Sequence, residues 1–272
     1  MAFPPGLHVV QYPFPSDDEP LDPSAPLVVL VHGTLDRANS FRRTIGRLSD
    51  YRVVTYDRRG YQSSRSSETV VGLDGHIEDL LGVVREAVGD GAPATVVGHS
   101  LGGAVTLGAA IAEPELFASV GVYEPPMPWL KLDLPEGTPT SFAMTMSDDP
   151  DTMVEEFFRR LAVDSSWESL TDGARADRLA DGPALITELR SLREGPALYD
   201  VREISVPVLF GVGGDRSAPH HRASHEWLMA NVPEAAGIVV EQAGHGIHLT
   251  HPDAFAAFVR SAVERRPAAS PS

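Results

Sequence analysis

The stretch Gly98-His99-Ser100-Leu101-Gly102 constrains this chain more than any other. It is entered from the apolar run Ala94-Thr95-Val96-Val97 and left through the alanine-rich segment "AVTLGAAIA" at 104–112. A strand that passes straight into a helix must turn sharply at the serine. Such a turn strains the serine backbone and leaves no space for side chains two residues to either side, where both residues are glycine. The hydroxyl then stands clear of the main chain, and the free N–H groups of the helix start point toward it. Serine is a weak nucleophile that needs this presentation and a base beside it.

Seven short apolar runs recur along the 272 residues: 7–12, 26–33, 51–57, 94–100, 119–124, 206–214 and 236–242. Most are continuously apolar, as strands are when both faces of a sheet are covered. Helical patterns lie between them. In 76–88, Ile77, Leu80, Leu81, Val84 and Val88 share one face, with Glu78, Asp79 and Arg85 on the other; 252–266 closes the chain. The alternation specifies an α/β fold with a mostly parallel sheet flanked by helices. It breaks between Pro125 and Val206, where helical patterns such as "DTMVEEFFRRL" occur without a strand. We read roughly 131–200 as a helical cap insertion, with 1–130 and 201–272 forming the core.

Composition removes several function classes. The formal charge of −16 repels phosphate backbones, so nucleic acid is not an expected partner. With no cysteine, disulfides, thiolate catalysis and cysteine metal sites are excluded. No segment is apolar and long enough for a membrane span, and the first twenty residues lack a signal-peptide pattern, so a cytoplasmic protein is expected. The expected partner is a small-molecule substrate; no motif specifies an oligomer.

Ser100 needs a base, and the chain has ten histidines. His245 lies between the last apolar run and the last helix, at the carboxyl edge of the sheet where reactive groups gather. His248 and His251 follow it at i+3 and i+6, but no carboxylate is spaced among them as in metal-binding helices, so no metal is expected and both are read as local packing groups. The base needs an orienting acid. Asp215 ends the run at 206–214 on the same edge; Glu124, ending the preceding run, is its rival. Two N–H donors should face the reacting carbonyl oxygen. Leu101 supplies one, and Thr34, after His32-Gly33, the other, with Leu35 as the alternative to Thr34.

Together "HGT" (32–34), "YDRRGYQSS" (56–64), "GHSLGG" (98–103), "GVGGDRSAP" (211–219) and "GHGIHLTHPDAF" (244–255) resemble the α/β-hydrolase superfamily, and within it the capped members. The resemblance implies an eight-stranded sheet, no cofactor, and a Ser100–Asp215–His245 triad in that chain order. One loop departs from it: where the family reads D-x-R-G-x-G-x-S, Gln62 replaces the second glycine. Aspartate-nucleophile relatives such as epoxide hydrolases are disfavoured by Ser100.

The expected activity is hydrolysis of a small or medium carboxylic ester, or a lactone or thioester, through an acyl-enzyme. Trp129, Phe142, Met144 and Met146, near the start of the cap, are candidate pocket residues. The same triad could serve perhydrolase or haloperoxidase, carbon–carbon hydrolase or hydroxynitrile lyase chemistry. A reading of another class is a small-molecule binding or receptor protein on the same scaffold.

Overall fold

The structure is a computed structural model, and it describes residues 2–13, 24–65, 69–130, 132, 134, 147–161, 166–194 and 197–267. Seven strands form one sheet: β1 (His8–Tyr12), β2 (Leu27–Val31), β3 (Arg52–Asp57), β4 (Ala94–His99), β5 (Phe117–Tyr123), β6 (Val208–Gly213) and β7 (Ala236–Val240), in the order β1-β3-β2-β4-β5-β6-β7. All neighbours are parallel except β1, which pairs antiparallel with β3 (His8 opposite Asp57, Tyr12 opposite Val53). Each apolar run became one strand. The eighth strand implied by the resemblance is not found among the described residues, and no further apolar run exists there to form it.

Among the described residues ten α-helices lie in chain order: α1 (Arg42–Ile45), α2 (Leu73–Val88), α3 (Leu101–Ala112), α4 (Pro150–Leu161), α5 (Ser166–Ser169), α6 (Asp172–Leu179), α7 (Gly182–Glu194), α8 (Pro219–Asn231), α9 (Ile247–Thr250) and α10 (Pro252–Glu264). The pleat of the central strands sorts side chains between two apolar layers. Val29, Val31 and Val96 face a layer that contains Leu80 and Val84 of α2 and Val105 of α3. Val28, Leu30 and Val97 face the opposite layer, with Phe255, Phe258 and Val259 of α10. Burying each such side chain contributes about 1.5–3 kcal/mol. None of the described helices is long and apolar enough to cross a membrane.

Helices α4 to α7 fill the interval between β5 and β6 and build a third apolar cluster. Met153, Val154 and Phe157 of α4, Trp167 of α5, and Leu185 and Leu189 of α7 meet Leu35 and Tyr61 from the loops after β2 and β3. This segment therefore lies on the loops at the carboxyl ends of the strands. Asp79, expected on the outer face of α2, is buried instead, because Arg59 donates to both its oxygens at 2.9 and 2.6 Å.

Gln62 holds a φ of 45°, so the position where the resemblance expects glycine is left-handed here too. Its backbone N–H donates to Asp181 at 3.2 Å, which fixes the loop in this form. A side chain in that region costs about 1–2 kcal/mol, partly offset by the extra unfolded-state freedom of glycine. Gln62→Gly is therefore expected to stabilise the protein by up to about 1 kcal/mol, read as a rise in thermal midpoint; a fall would show that the side chain contributes more than its strain costs.

Candidate active site

Ser100 sits between β4 and α3 with φ 52° and ψ −128°, the strained turn anticipated from the two glycines. The glycines have a measurable reason. A Cβ on Gly98 would lie 2.3 Å from the Gly102 carbonyl oxygen, and one on Gly102 would lie 2.2 Å from that of Val31. Both are far inside contact distance, so the helix start can approach β2 only without side chains there. The Ser100 N–H donates to the Tyr123 carbonyl at 2.9 Å, which anchors the turn to the neighbouring strand.

His245 Nε2 lies 3.0 Å from Ser100 Oγ, and His245 Nδ1 lies 2.8 Å from Glu124 Oε2. With the proton on Nδ1, the ring donates to Glu124 and accepts from the serine hydroxyl. The carboxylate behind His245 is thus Glu124 and not Asp215. Asp215 is exposed in the turn past β6, which is closed by the Ser217 N–H to the Gly214 carbonyl at 3.0 Å. The end of β6 instead serves Glu124: the Gly213 N–H donates to Glu124 Oε1 at 2.9 Å, and the Ser217 hydroxyl donates to the same oxygen. Burial alone would push the Glu124 carboxyl up. The hydrogen bond from His245, the nearby His221 and the Ser217 hydroxyl outweigh it and hold the group well below the usual carboxylate range. Glu124 itself has φ 47°.

The ring of His221, from α8, stacks on His245 at 4.7 Å between centroids and 8° between planes. Burial and the neighbouring His245 ring push its pKa well down, so it packs as a neutral ring. On the other side, His99 Nε2 lies 2.6 Å from the His245 carbonyl oxygen. Neither contact was legible in the sequence, because each joins residues more than twenty positions apart.

Ser100 and His245 line a cavity of about 160 Å³ with Gly33, Thr34, Leu35, Asp36, Phe157, Phe158, Arg178 and Leu249 among its walls. An apolar cavity of about 150 Å³ suffices for a benzene-sized molecule. Thr34 lines this cavity with Ser100. Leu101 is the first residue of α3, where N–H groups have no partner within the helix. Trp129 is not among these walls; it packs edge-on against Tyr199, ring centroids 5.5 Å apart. Phe142, Met144 and Met146 lie outside the described residues. Apolar walls come instead from Phe157 and Phe158 of α4, which the sequence offered only as part of a helical pattern, and from Leu35 and Leu249.

Behind Thr34 lies a sealed charge network. Arg58 and Glu188 form an ion pair with both side chains fully buried. Glu188, on α7, also accepts from Tyr61 Oη at 2.7 Å and Thr34 Oγ1 at 2.9 Å, and His76 Nε2 lies 2.8 Å away. Arg58 further donates to the carbonyls of His32 and Gly33, each at 2.9 Å. Burial and Arg58 push His32 down to about 3, so its ring is neutral and accepts the Arg58 backbone N–H at 2.8 Å. One carboxylate therefore ties the helical segment to the loops after β2 and β3.

A sequence profile of the alpha/beta hydrolase family matches residues 28–258. The chain belongs to this family. Among curated relatives of this hydrolase, 2-(acetamidomethylene)succinate hydrolase of Mesorhizobium japonicum is 27% identical over 246 residues, 85% of each chain. An uncharacterized hydrolase of Bacillus subtilis, YugF, is 35% identical over 111 residues, and the match spans only 36% of either chain. Among solved structures, a thermophilic esterase from Thermogutta terrifontis superposes with a TM-score of 0.70 at 21% identity, covering 95% of this chain and 93% of that one. At that identity the likeness speaks for the fold.

The Glu188 network yields a stability prediction. Burial alone would raise the Glu188 carboxyl, but Arg58 and His76 hold it at about 2, below its ordinary 4.5. The unfolded chain binds the extra proton first. This group's stabilisation is therefore complete above about pH 4.5 and is lost as pH falls through about 2. Glu188→Ala leaves Arg58 buried without a counter-charge and is expected to cost about 3–5 kcal/mol. Urea midpoints at neutral pH check the loss; the variant's stability should also fall less steeply in acid than that of the parent.

Proposed function

We propose that this hydrolase cleaves small carboxylic esters through an acyl-enzyme on Ser100. The observation that carries the reading is the continuous line from Ser100 Oγ through His245 to the buried Glu124 carboxylate, with steps of 3.0 and 2.8 Å. His245 takes the serine proton as Ser100 attacks the carbonyl, and Glu124 stabilises the imidazolium that forms. The N–H groups of Thr34 and Leu101 receive the developing oxyanion, each such donor being worth about 3–4 kcal/mol. His245 then protonates the leaving alcohol, and water activated by the same ring releases the acid. The cavity of about 160 Å³ and its walls of Phe157, Phe158 and Leu249 favour a short apolar acyl group. In this reading the α4–α7 segment acts as a cap over the site. The solved esterase of the same fold is consistent with ester chemistry, and the Mesorhizobium relative shows that full-length kin act on other small substrates.

Fluorophosphonate labelling with peptide mass spectrometry tests the mechanism, alongside turnover of 4-nitrophenyl acetate and butyrate. Labelling is expected at Ser100 and should be lost in Ser100→Ala and His245→Ala. Glu124→Gln is expected to lower kcat by about 10²- to 10⁴-fold, whereas Asp215→Asn leaves it within about twofold. If Asp215→Asn were the slower variant, the acid assignment would fail. A folded protein that neither labels nor turns over ester would sink the acyl-enzyme reading in favour of a binding scaffold.

A further inference from the structure

Three side chains on three separate elements converge beside Ser100: Asp36 and His248 face each other as an ion pair, and His99 Nδ1 is buried without a hydrogen-bond partner among the described residues. All three lie within 4.8 Å of one another, and Asp36 Oδ2 stands 3.0 Å from His248 Nε2. Asp36 follows β2, His99 ends β4 and His248 lies in α9. Buried polar atoms are normally satisfied, and His99 Nδ1, left open beside an Asp–His pair, marks a place where a shared partner would fit.

From this convergence we propose that Asp36, His99 and His248 form a site for a first-row divalent cation of the zinc class, opening on the Ser100 cavity. The donor set is two imidazoles and one carboxylate, the set such ions favour when a fourth position stays open. The surroundings fit ligation. His99 Nε2–H donates to the His245 carbonyl at 2.6 Å, which fixes the tautomer and leaves the Nδ1 lone pair directed inward. The Ser40 hydroxyl donates to the other Asp36 oxygen. Phe41 and Phe255 pack against the His248 ring, with centroids 5.3 and 6.0 Å away, and form an apolar shell. Asp36, His99 and His248 all line the cavity that holds Ser100.

A second cluster, Glu124, His221 and His245, has equally short spacings, but there the carboxylate is already committed to His245, Gly213 and Ser217. In the first cluster, by contrast, an imidazole nitrogen, His99 Nδ1, stays unpartnered.

The full chain, stripped with chelator and then titrated with Zn²⁺ by calorimetry and with Co²⁺ by visible absorption, tests the proposal independently of ester turnover. One equivalent is expected to bind, with a low-coordinate Co²⁺ spectrum. Affinity should fall at least about tenfold in Asp36→Asn and in His248→Gln and hold in His221→Gln. Circular dichroism identifies folded variants. Should both ligand variants misfold, the wild-type Co²⁺ spectrum and the His221→Gln titration still decide the matter. Absence of saturable binding to the wild type overturns the proposal, as does binding lost in His221→Gln but kept in the folded Asp36 or His248 variant.

Discussion

A carboxylate sealed from water must be matched on every side, and Glu188 is. Its partners Thr34, Arg58, Tyr61 and His76 come from the loops after β2 and β3 and from α2, while Glu188 itself rides on α7. The pair contributes geometry more than net stability, since its Coulomb gain mostly repays desolvation. What it specifies is position. Helix α4, which supplies Phe157 and Phe158, packs against α7, which the buried charge pair holds in place, and Thr34 is held by the same carboxylate. The cavity roof and one side of the site are thereby referenced to a single group.

The strained residues depend on the sheet in the same way. Ser100 and Glu124 end neighbouring strands, β4 and β5, and both hold positive φ without being glycine, at 52° and 47°. Such conformations cost of order 1–3 kcal/mol and persist only where surrounding structure over-determines them. Here each is pinned to the next strand: Ser100 N–H to the Tyr123 carbonyl at 2.9 Å, and Glu124 N–H to the Gly211 carbonyl at 3.1 Å. The sheet register sets the Ser100–His245–Glu124 line, and β6 completes it through the Gly213 N–H.

Legibility in the sequence followed the range of the forces. The elbow at Ser100 was readable because its sterics are local, and the seven strands were readable because burial on both faces leaves unbroken apolar runs. His245 was readable from its place after the last strand. The carboxylate bonded to His245 was not, since Asp215 and Glu124 both end strands on the same edge. The choice rests on which β6 groups turn toward His245, and the turn Gly214–Ser217 sends Asp215 outward while Ser217 reaches Glu124. The Arg58–Glu188 pair was invisible for a related reason, its partners lying 130 positions apart. Asp79 was misplaced because hydrophobic periodicity assigns every charge to solvent, whereas Arg59 makes a bidentate pair with it at the edge of the core.

Moving the acid from β6 to β5 changes what the loop after β6 has to do. With Asp215 as the acid, that loop would have to hold a charged side chain in register with His245. With Glu124, it need only supply an N–H and a hydroxyl to a carboxylate whose backbone is already fixed within the sheet. The loop's own carboxylate is left exposed to solvent, and α8, which follows, is free to place His221 flat against His245. The neutral His221 ring packs against that face of the imidazole without adding a competing charge.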